Sequence, residues 1–327
     1  MVRHELIDTA GVLLLDKPVQ LTSNRALQRV RGIYGRPKAG HTGTLDPLAS
    51  GLLPLCLGEM TKFSPWLVAT QKTYRASILL GRQTDTDDVD GEVIASCELP
   101  ADLDIETVEA LLPEFCGSIR QTPPLYSALH QGGERLYRRA RRGEAPEVPA
   151  RQVEIESIRA LGLEGSTLRI EVRCGKGTYI RSLARDIGAA LGCGGCIAEL
   201  RRAAVGAMRV DAAHTLEHLQ SLRDAADIDA LEDAVIPIET ALGHLPALQF
   251  DAEQAGLLLR GVRLAVEGEP LECSGAHQLI GPEGFIGIGC VEIDEGACII
   301  APRRMCASAV PQLKAAAKGG RAEDAPR

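Results

Sequence analysis

Residues 169–192 read RIEVRCGKGTYIRSLARDIGAALG, and their reading decides the fold class. RIEVRC (169–174) alternates cleanly between apolar and polar side chains, the pattern of a half-buried strand. Ile180 to Leu191 then reads as a helix that Gly192 ends. The junction sets an aromatic, Tyr179, two residues before a cation, Arg181. Working outward, Gly11 to Leu15 (GVLLL) is a short apolar run stopped by Asp16-Lys17-Pro18, a buried strand. Ser23 has the chemistry of an N-cap for a helix through Ala26, Leu27 and Val30. Gly40 to Ser50 is a loop rich in Gly, Thr and Pro, Lys72 to Leu80 alternates like a strand, and Leu103 to Phe115 looks like an acidic-faced helix. Strands and helices mix without regular βαβ spacing, which predicts an α+β fold.

At 327 residues, two domains are expected, and a 45% hydrophobic content is enough for a packed core. The break falls near Gly243-His244-Leu245-Pro246. After it come one short helix, Ala252 to Arg260, and short Gly-bounded apolar runs (278–280, 285–288, 297–300), the pattern of a small β-barrel or sandwich. The expected division is 1–245, 246–306 and a disordered tail at 307–327 that is low in apolar residues. No run of about 18 apolar residues offers a membrane span, and MVRHELIDTA lacks the apolar core of a secretory signal. A cytoplasmic protein is expected. The ten cysteines are scattered, mostly in apolar context, and read as reduced, buried thiols.

The net charge of -8 argues against a polyanionic partner, but the charges are segregated. Residues 17–45 carry six basic residues and no acid, 135–142 carry five arginines and no acid, and 169–185 carry five basic residues. Residues 83–119 carry eleven acids and no Lys or Arg. Such blocks can build a cationic face on an acidic protein, and a phosphate responds to the local field. The blander reading of each run is a solvated helix face. All five tyrosines (34, 74, 126, 137 and 179) interleave with the basic runs, as stacking on an unpaired nucleobase would need; one or two of them are expected in the core.

Three short motifs are weak. His214-Thr215-Leu216-Glu217-His218 matches the H-x-x-E-H zinc pattern but has no obvious third ligand. Cys193-Gly194-Gly195-Cys196 has knuckle spacing without a second pair. Gly175-Lys176-Gly177-Thr178 fails the phosphate-loop rule, because Gly177 follows Lys176 where Ser or Thr is required. Nothing implies a metal, a nucleotide or a redox cofactor. The strongest segment is GHTGTLDPLASG (40–51). There Asp46 stands before a proline that pushes it toward extended backbone, among glycines that admit close approach. Alone, such an Asp is most often a turn residue. Beside Arg181 it would be held ionised and oriented.

The chain resembles the TruB family of bacterial tRNA pseudouridine-55 synthases. The resemblance is carried by LLLDKP (13–18), LTSNRAL (21–27), GHTGTLDPLASGLLPLCLGEMTKF (40–63), KTYRASILLGRQTDTDDVDGEV (72–93), YSAL (126–129), KGTYIRSLARDIG (176–188), LRRAAVG (200–206) and APRRM (301–305). One departure is Gln20, where the family pattern has Gly. The resemblance implies a mixed, largely antiparallel central sheet flanked by helices, plus a small C-terminal PUA-like β-barrel that binds RNA, with Arg303 and Arg304 as phosphate contacts. It implies isomerisation of a uridine in the tRNA T-loop, without cofactor or metal; no protein partner is implied, and a monomer is expected. Asp46 would be the nucleophile, on either the base or the ribose C1′. Tyr74 would stack on the detached uracil, Tyr179 would pack against it and assist C5 deprotonation, and Leu200 would close the pocket. His41 would fill the gap left by the flipped base. Two other classes stay open on the residues alone: an inactive RNA-binding protein on the same scaffold, and a zinc hydrolase built on His214 and His218.

Overall fold

The computed structural model describes residues 7, 9–68, 71–127, 130, 131, 134, 135, 139, 142, 144, 146–266, 275–294 and 297–306. The expected tail (307–327), Tyr137, Cys273 and much of the basic run 135–142 lie outside the described residues.

The central sheet uses β1 (Gly11–Lys17), β2 (Ala39–His41), β3 (Ser50–Leu57) and β4 (Lys72–Leu80). β5 (Arg82–Thr84) and β6 (Val93–Ser96) pair apart from it. β7 (Gly117–Gln121) belongs to it, while β8 (His130–Gln131) and β9 (Glu134–Arg135) form a separate hairpin. β10 (Arg151–Glu164), β11 (Thr167–Cys174), β12 (Gly195–Val205), β13 (Met208–Arg209) and β14 (Val235–Pro237) complete it. The order is β14-β1-β3-β12-β4-β11-β10-β7, with β2 beside β3 and β13 beside β12. The β3–β12 pair is parallel and the other pairings are antiparallel. The sheet is thus mixed and largely antiparallel, as expected.

The run GVLLL works because both faces of β1 are covered. Leu13 and Leu15 enter a core shared with helices 23–33, 105–111, 180–190 and 216–224. Val12 and Leu14 enter a second core on the opposite face with Leu52, Met60 and Phe63. Tyr34 is fully buried in the first core, and its hydroxyl donates to the Leu231 carbonyl at 2.8 Å. It is a core tyrosine and not a base-stacking one. Helix 23–33 is capped by Thr22, whose hydroxyl accepts from the Arg25 amide at 3.2 Å. Ser23, the expected cap, is instead the first helical residue, and its hydroxyl is used elsewhere.

A second sheet is built from β15 (Ala247–Gln249), β16 (Leu264–Val266), β17 (Gly275–Gly281), β18 (Gly284–Asp294) and β19 (Ala297–Met305). Its order is β15-β17-β18-β19-β16. The described pairings include none between the edge strands β15 and β16, as a closed barrel would need. A capping box between Asp251 and Gln254 starts helix 252–259, which packs on this sheet. Leu279, Ile286, Ile288 and Ile300 join the second core, so the two sheets share apolar packing. Phe63 meets Phe285 edge-to-face at 5.1 Å. The described cysteines are free thiols, six of them buried. Among the described residues no helix is long and apolar enough to cross a membrane.

Candidate active site

The loop between β2 and β3 carries Asp46. Two hydrogen bonds from one hydroxyl fix it: Ser23 Oγ accepts from the Leu45 amide at 2.7 Å and donates to the Leu45 carbonyl at 2.9 Å. The Asp46 carbonyl accepts from the Ala49 amide at 3.1 Å, closing a turn over Pro47. Arg202, on β12, is 2% exposed; its Nε donates to the Leu52 carbonyl at 2.7 Å and an Nη to the Gly43 carbonyl at 3.2 Å. Gly51, at φ +97°, lets β3 lie against β12, where a Cβ would sit 2.4 Å from the Arg202 carbonyl.

Arg181, in the first turn of helix 180–190, is 4% exposed. Its Nε lies 2.9 Å from Asp46 Oδ2, and the Asp46 side chain keeps 38% exposure. The Nε–H is not aligned along this contact, which is therefore an ion pair more than a hydrogen bond. The rest of the guanidinium donates to the Thr86 carbonyl at 2.8 Å and the Tyr126 carbonyl at 3.0 Å, and lies 3.5 Å from Asp88 Oδ2. Burial pushes the Asp88 carboxyl up, opposed by the Thr86 hydroxyl and Arg181.

Tyr74 on β4 and Arg202 on β12 are direct cross-strand partners. Burial pushes the Tyr74 phenol up, and the Arg202 guanidinium opposes that. Asp46, Tyr74, Tyr179, Arg181, Leu200 and Arg202 line one cavity of about 280 Å³. That is near the lower end for ligand pockets, about 300–1,000 Å³. Leu200 is 8% exposed and supplies apolar wall. The structure therefore brings five of the six expected site residues together. The sixth, His41, sits on β2 opposite Leu55 and is not part of the cavity lining. Its Nδ1 is buried without a partner, and burial, then Arg202, pull its pKa down, favouring a neutral ring.

Sequence reasoning missed Arg202 and Asp88. Asp88 belongs to an acidic stretch that reads as a solvated face, and Arg202 to a run whose Leu200 alone attracted notice. The weak motifs resolve differently. Thr215 caps helix 216–224, so His214 precedes it; the His214 and His218 rings stack at 5.4 Å. Among the described residues no group of three His, Cys, Asp or Glu side chains could hold a metal. Cys193 and Cys196 flank a turn packed against Gly188.

Residues 31–180 match the TruB family pseudouridylate synthase N-terminal domain. The chain belongs to this family. Residues 181–243 match the tRNA pseudouridylate synthase B C-terminal domain. Two relatives described as tRNA pseudouridine synthase B agree. One, from Aromatoleum aromaticum, is 46% identical over 93% of this chain and 94% of its own. Another, from Chromohalobacter salexigens, is 47% identical over 90% and 94%. Among solved structures, a chain from a Cbf5-Nop10-Gar1 complex superposes with a TM-score of 0.69 at 26% identity, covering 90% of this chain and 84% of that one. A chain from an archaeal box H/ACA sRNP Nop10-Cbf5 complex gives 0.67 at 25% identity, covering 90% and 85%. This TruB-family chain is a pseudouridine synthase, an isomerase, on the pseudouridine synthase fold.

Proposed function

We propose that this synthase converts uridine-55 in the T-loop of tRNA to pseudouridine, with Asp46 as nucleophile. The observation that carries the reading is the buried Arg181 paired at 2.9 Å with a carboxylate that remains accessible and lines the same cavity as Tyr74 and Tyr179. Asp46 attacks either the base or the ribose C1′. The N1–C1′ bond breaks, the uracil turns, C5 bonds to C1′, the bond to Asp46 breaks to return the free carboxylate, and the C5 proton leaves while N1 regains one. The sequence of steps is redox-neutral and uses no cofactor. Arg181 balances and orients the Asp46 charge. Tyr74 offers a stacking face, Tyr179 packs on another side and assists loss of the C5 proton, and Leu200 keeps water out. His41, neutral and at the loop edge, would fill the stack vacated by the flipped uridine.

The relatives' names support tRNA as substrate. Affinity would come from phosphate contacts and weaken with salt. Among the described residues of the basic runs, Arg25, Arg29, Arg36 and Lys38 of the first are exposed. The third is largely neutralised, since Arg169, Arg173 and Arg185 pair with Glu164, Glu156 and Asp87. In our reading residues 1–245 are the catalytic unit, and 246–306 are a PUA-like unit touching tRNA away from the active site. There Arg303 is engaged by Glu292 at 2.6 Å, leaving Arg304 as the more available contact. The protein acts as a cytoplasmic monomer.

The test is mapping of pseudouridine in an unmodified tRNA transcript. One new pseudouridine at position 55, absent with Asp46→Asn while that variant still binds tRNA, is the expected result. Product from the variant would remove Asp46 as nucleophile. Binding without product from the native chain would make it an inactive RNA-binding protein.

A further inference from the structure

Tyr179 is held in an unusual way. It is the N-cap of helix 180–190, but no side chain caps that helix start. Instead the side-chain amide of Gln121 pairs with both backbone groups of Tyr179. Gln121 Oε1 accepts from the Tyr179 N–H at 2.8 Å, and Gln121 Nε2 donates to the Tyr179 carbonyl at 3.0 Å. Gln121 is 1% exposed, so these bonds form away from water, where an amide left unpaired is costly. The ring of Tyr179 is held separately. The Arg151 guanidinium lies over it, 5.0 Å from the centroid, and donates to the Gly177 carbonyl at 2.9 Å.

Gln121 and Arg151 are not independent visitors. They are direct register partners at the end of the β7–β10 ladder. One cross-strand pair therefore fixes the backbone of Tyr179 from one strand and its ring from the next. The anchorage continues past the strand end: the Thr122 carbonyl accepts from Ser182 Oγ at 2.8 Å and from Arg185 at 3.0 Å, and the Tyr126 carbonyl from Arg181.

We infer that Gln121 and Arg151 form a two-point clamp that positions Tyr179 for the isomerisation, Gln121 setting the backbone and Arg151 the plane of the ring. Both are positioning residues and neither lines the cavity. The inference rests on the reading of Tyr179 as a residue that touches the uracil. A shift of the ring by a fraction of its width would cost turnover while leaving phosphate contacts intact, since displacements near 1 Å can slow an enzyme on the order of 100-fold.

A double-mutant cycle tests it, with single-turnover rates on a tRNA transcript for the native chain, Gln121→Ala, Tyr179→Leu and the double variant. We expect Gln121→Ala to lower the saturating single-turnover rate constant roughly 10- to 100-fold, with the half-saturating concentration within about twofold. In the Tyr179→Leu background it should cost less than about twofold more, because the clamp would have nothing left to hold. Equal losses in both backgrounds would overturn the clamp and leave Gln121 a general structural residue. If Tyr179→Leu itself keeps full activity, the role of Tyr179 fails, and the positioning role falls with it. A second readout separates the two failures. In protein labelled with ¹⁵N-tyrosine, the Tyr179 amide should lose hydrogen-exchange protection in Gln121→Ala while that of Tyr34 keeps it. Retained protection would overturn the clamp whatever the kinetics. If Gln121→Ala does not fold, Arg151→Met carries the same cycle from a partly exposed position.

Discussion

At the scale of single residues, two positions carry costs that can be measured. Gln20 has φ +64°, the left-handed region, in the turn where its amide donates to the Pro47 carbonyl at 2.7 Å. Glycine takes this backbone conformation freely, whereas the Gln20 side chain resists it. Gln20 is exposed, so its side chain gives little packing in return. Gln20→Gly should stabilise the protein by about 0.5–1 kcal/mol in denaturant titrations; a loss of stability would mean that the side chain has an unseen use. Lys17 is fully buried, its Nζ donating to the Pro18 and Leu21 carbonyls, both at 2.7 Å. Burial pulls its pKa from 10.5 down to about 8, with Asp46 opposing and Arg202 adding to the fall. A neutral amine still has the two N–H groups those carbonyls need. Between pH 8 and 10.5 the unfolded chain binds the extra proton, so this group adds stability as pH rises through that window and loses it again as pH falls to 8. The stability of the native chain relative to Lys17→Met should therefore grow from pH 8 to 10.5. A pH-independent difference would mean that the amine stays charged in the fold.

At the scale of elements, what matters is how closely helix 180–190 lies on β12, because this helix holds Arg181. Gly188 is the point of contact: a Cβ there would sit 2.3 Å from the Gly194 carbonyl carbon and from the Gly195 nitrogen. Both obstacles are backbone and cannot swing aside. Gly188→Ala should cost about 1–3 kcal/mol of stability, and kcat should fall as well, because the helix must lift with Arg181 on it. Unchanged turnover in the folded variant would show that Arg181 is held by Thr86, Tyr126 and Asp88 without help from the helix. Some element positions were legible to within a residue or two, while strands 151–164 and 195–205 were not anticipated. Strands 72–80 and 167–174 and helix 180–190 announce themselves by local periodicity. The N-cap was misplaced by one residue because Thr22 and Ser23 have the same capping chemistry. Only the neighbourhood of Leu45, 22 positions away, takes Ser23 for another task.

At the scale of the whole molecule, the second sheet covers the rear of the first. Val12, Leu52, Met60 and Phe63 share a core with Leu279, Ile286 and Ile300. A chain ending at residue 245 would leave that rear face wet. It should melt below the full chain and bind a hydrophobic dye in its native state. Equal melting without dye binding would show the two units to be independent. The charge pattern belongs to this scale too. Residues 169–185 look strongly basic in sequence, but Glu171 stands opposite Arg75 in the β4–β11 register and takes both Arg75 and Arg159. Charge partners brought by strand register are invisible to a reading along the chain.

The sequence by itself determined the α+β class and several elements and, through long ordered motifs, singled out Asp46, Tyr74, Tyr179, Arg181 and Leu200 as candidates. These are local or motif-borne properties: periodicity acts over a few residues, and a loop such as GHTGTLDPLASG carries its chemistry in its own letters. The tertiary structure alone decided the geometry in which distant groups meet. The pairing of Asp46 with Arg181 spans 135 positions, that of Gln121 with Tyr179 spans 58, and Arg202 reaches back 159 to Gly43. Such contacts are made by sheet order and helix placement, which depend on burying apolar surface across the entire chain, and no short pattern records them.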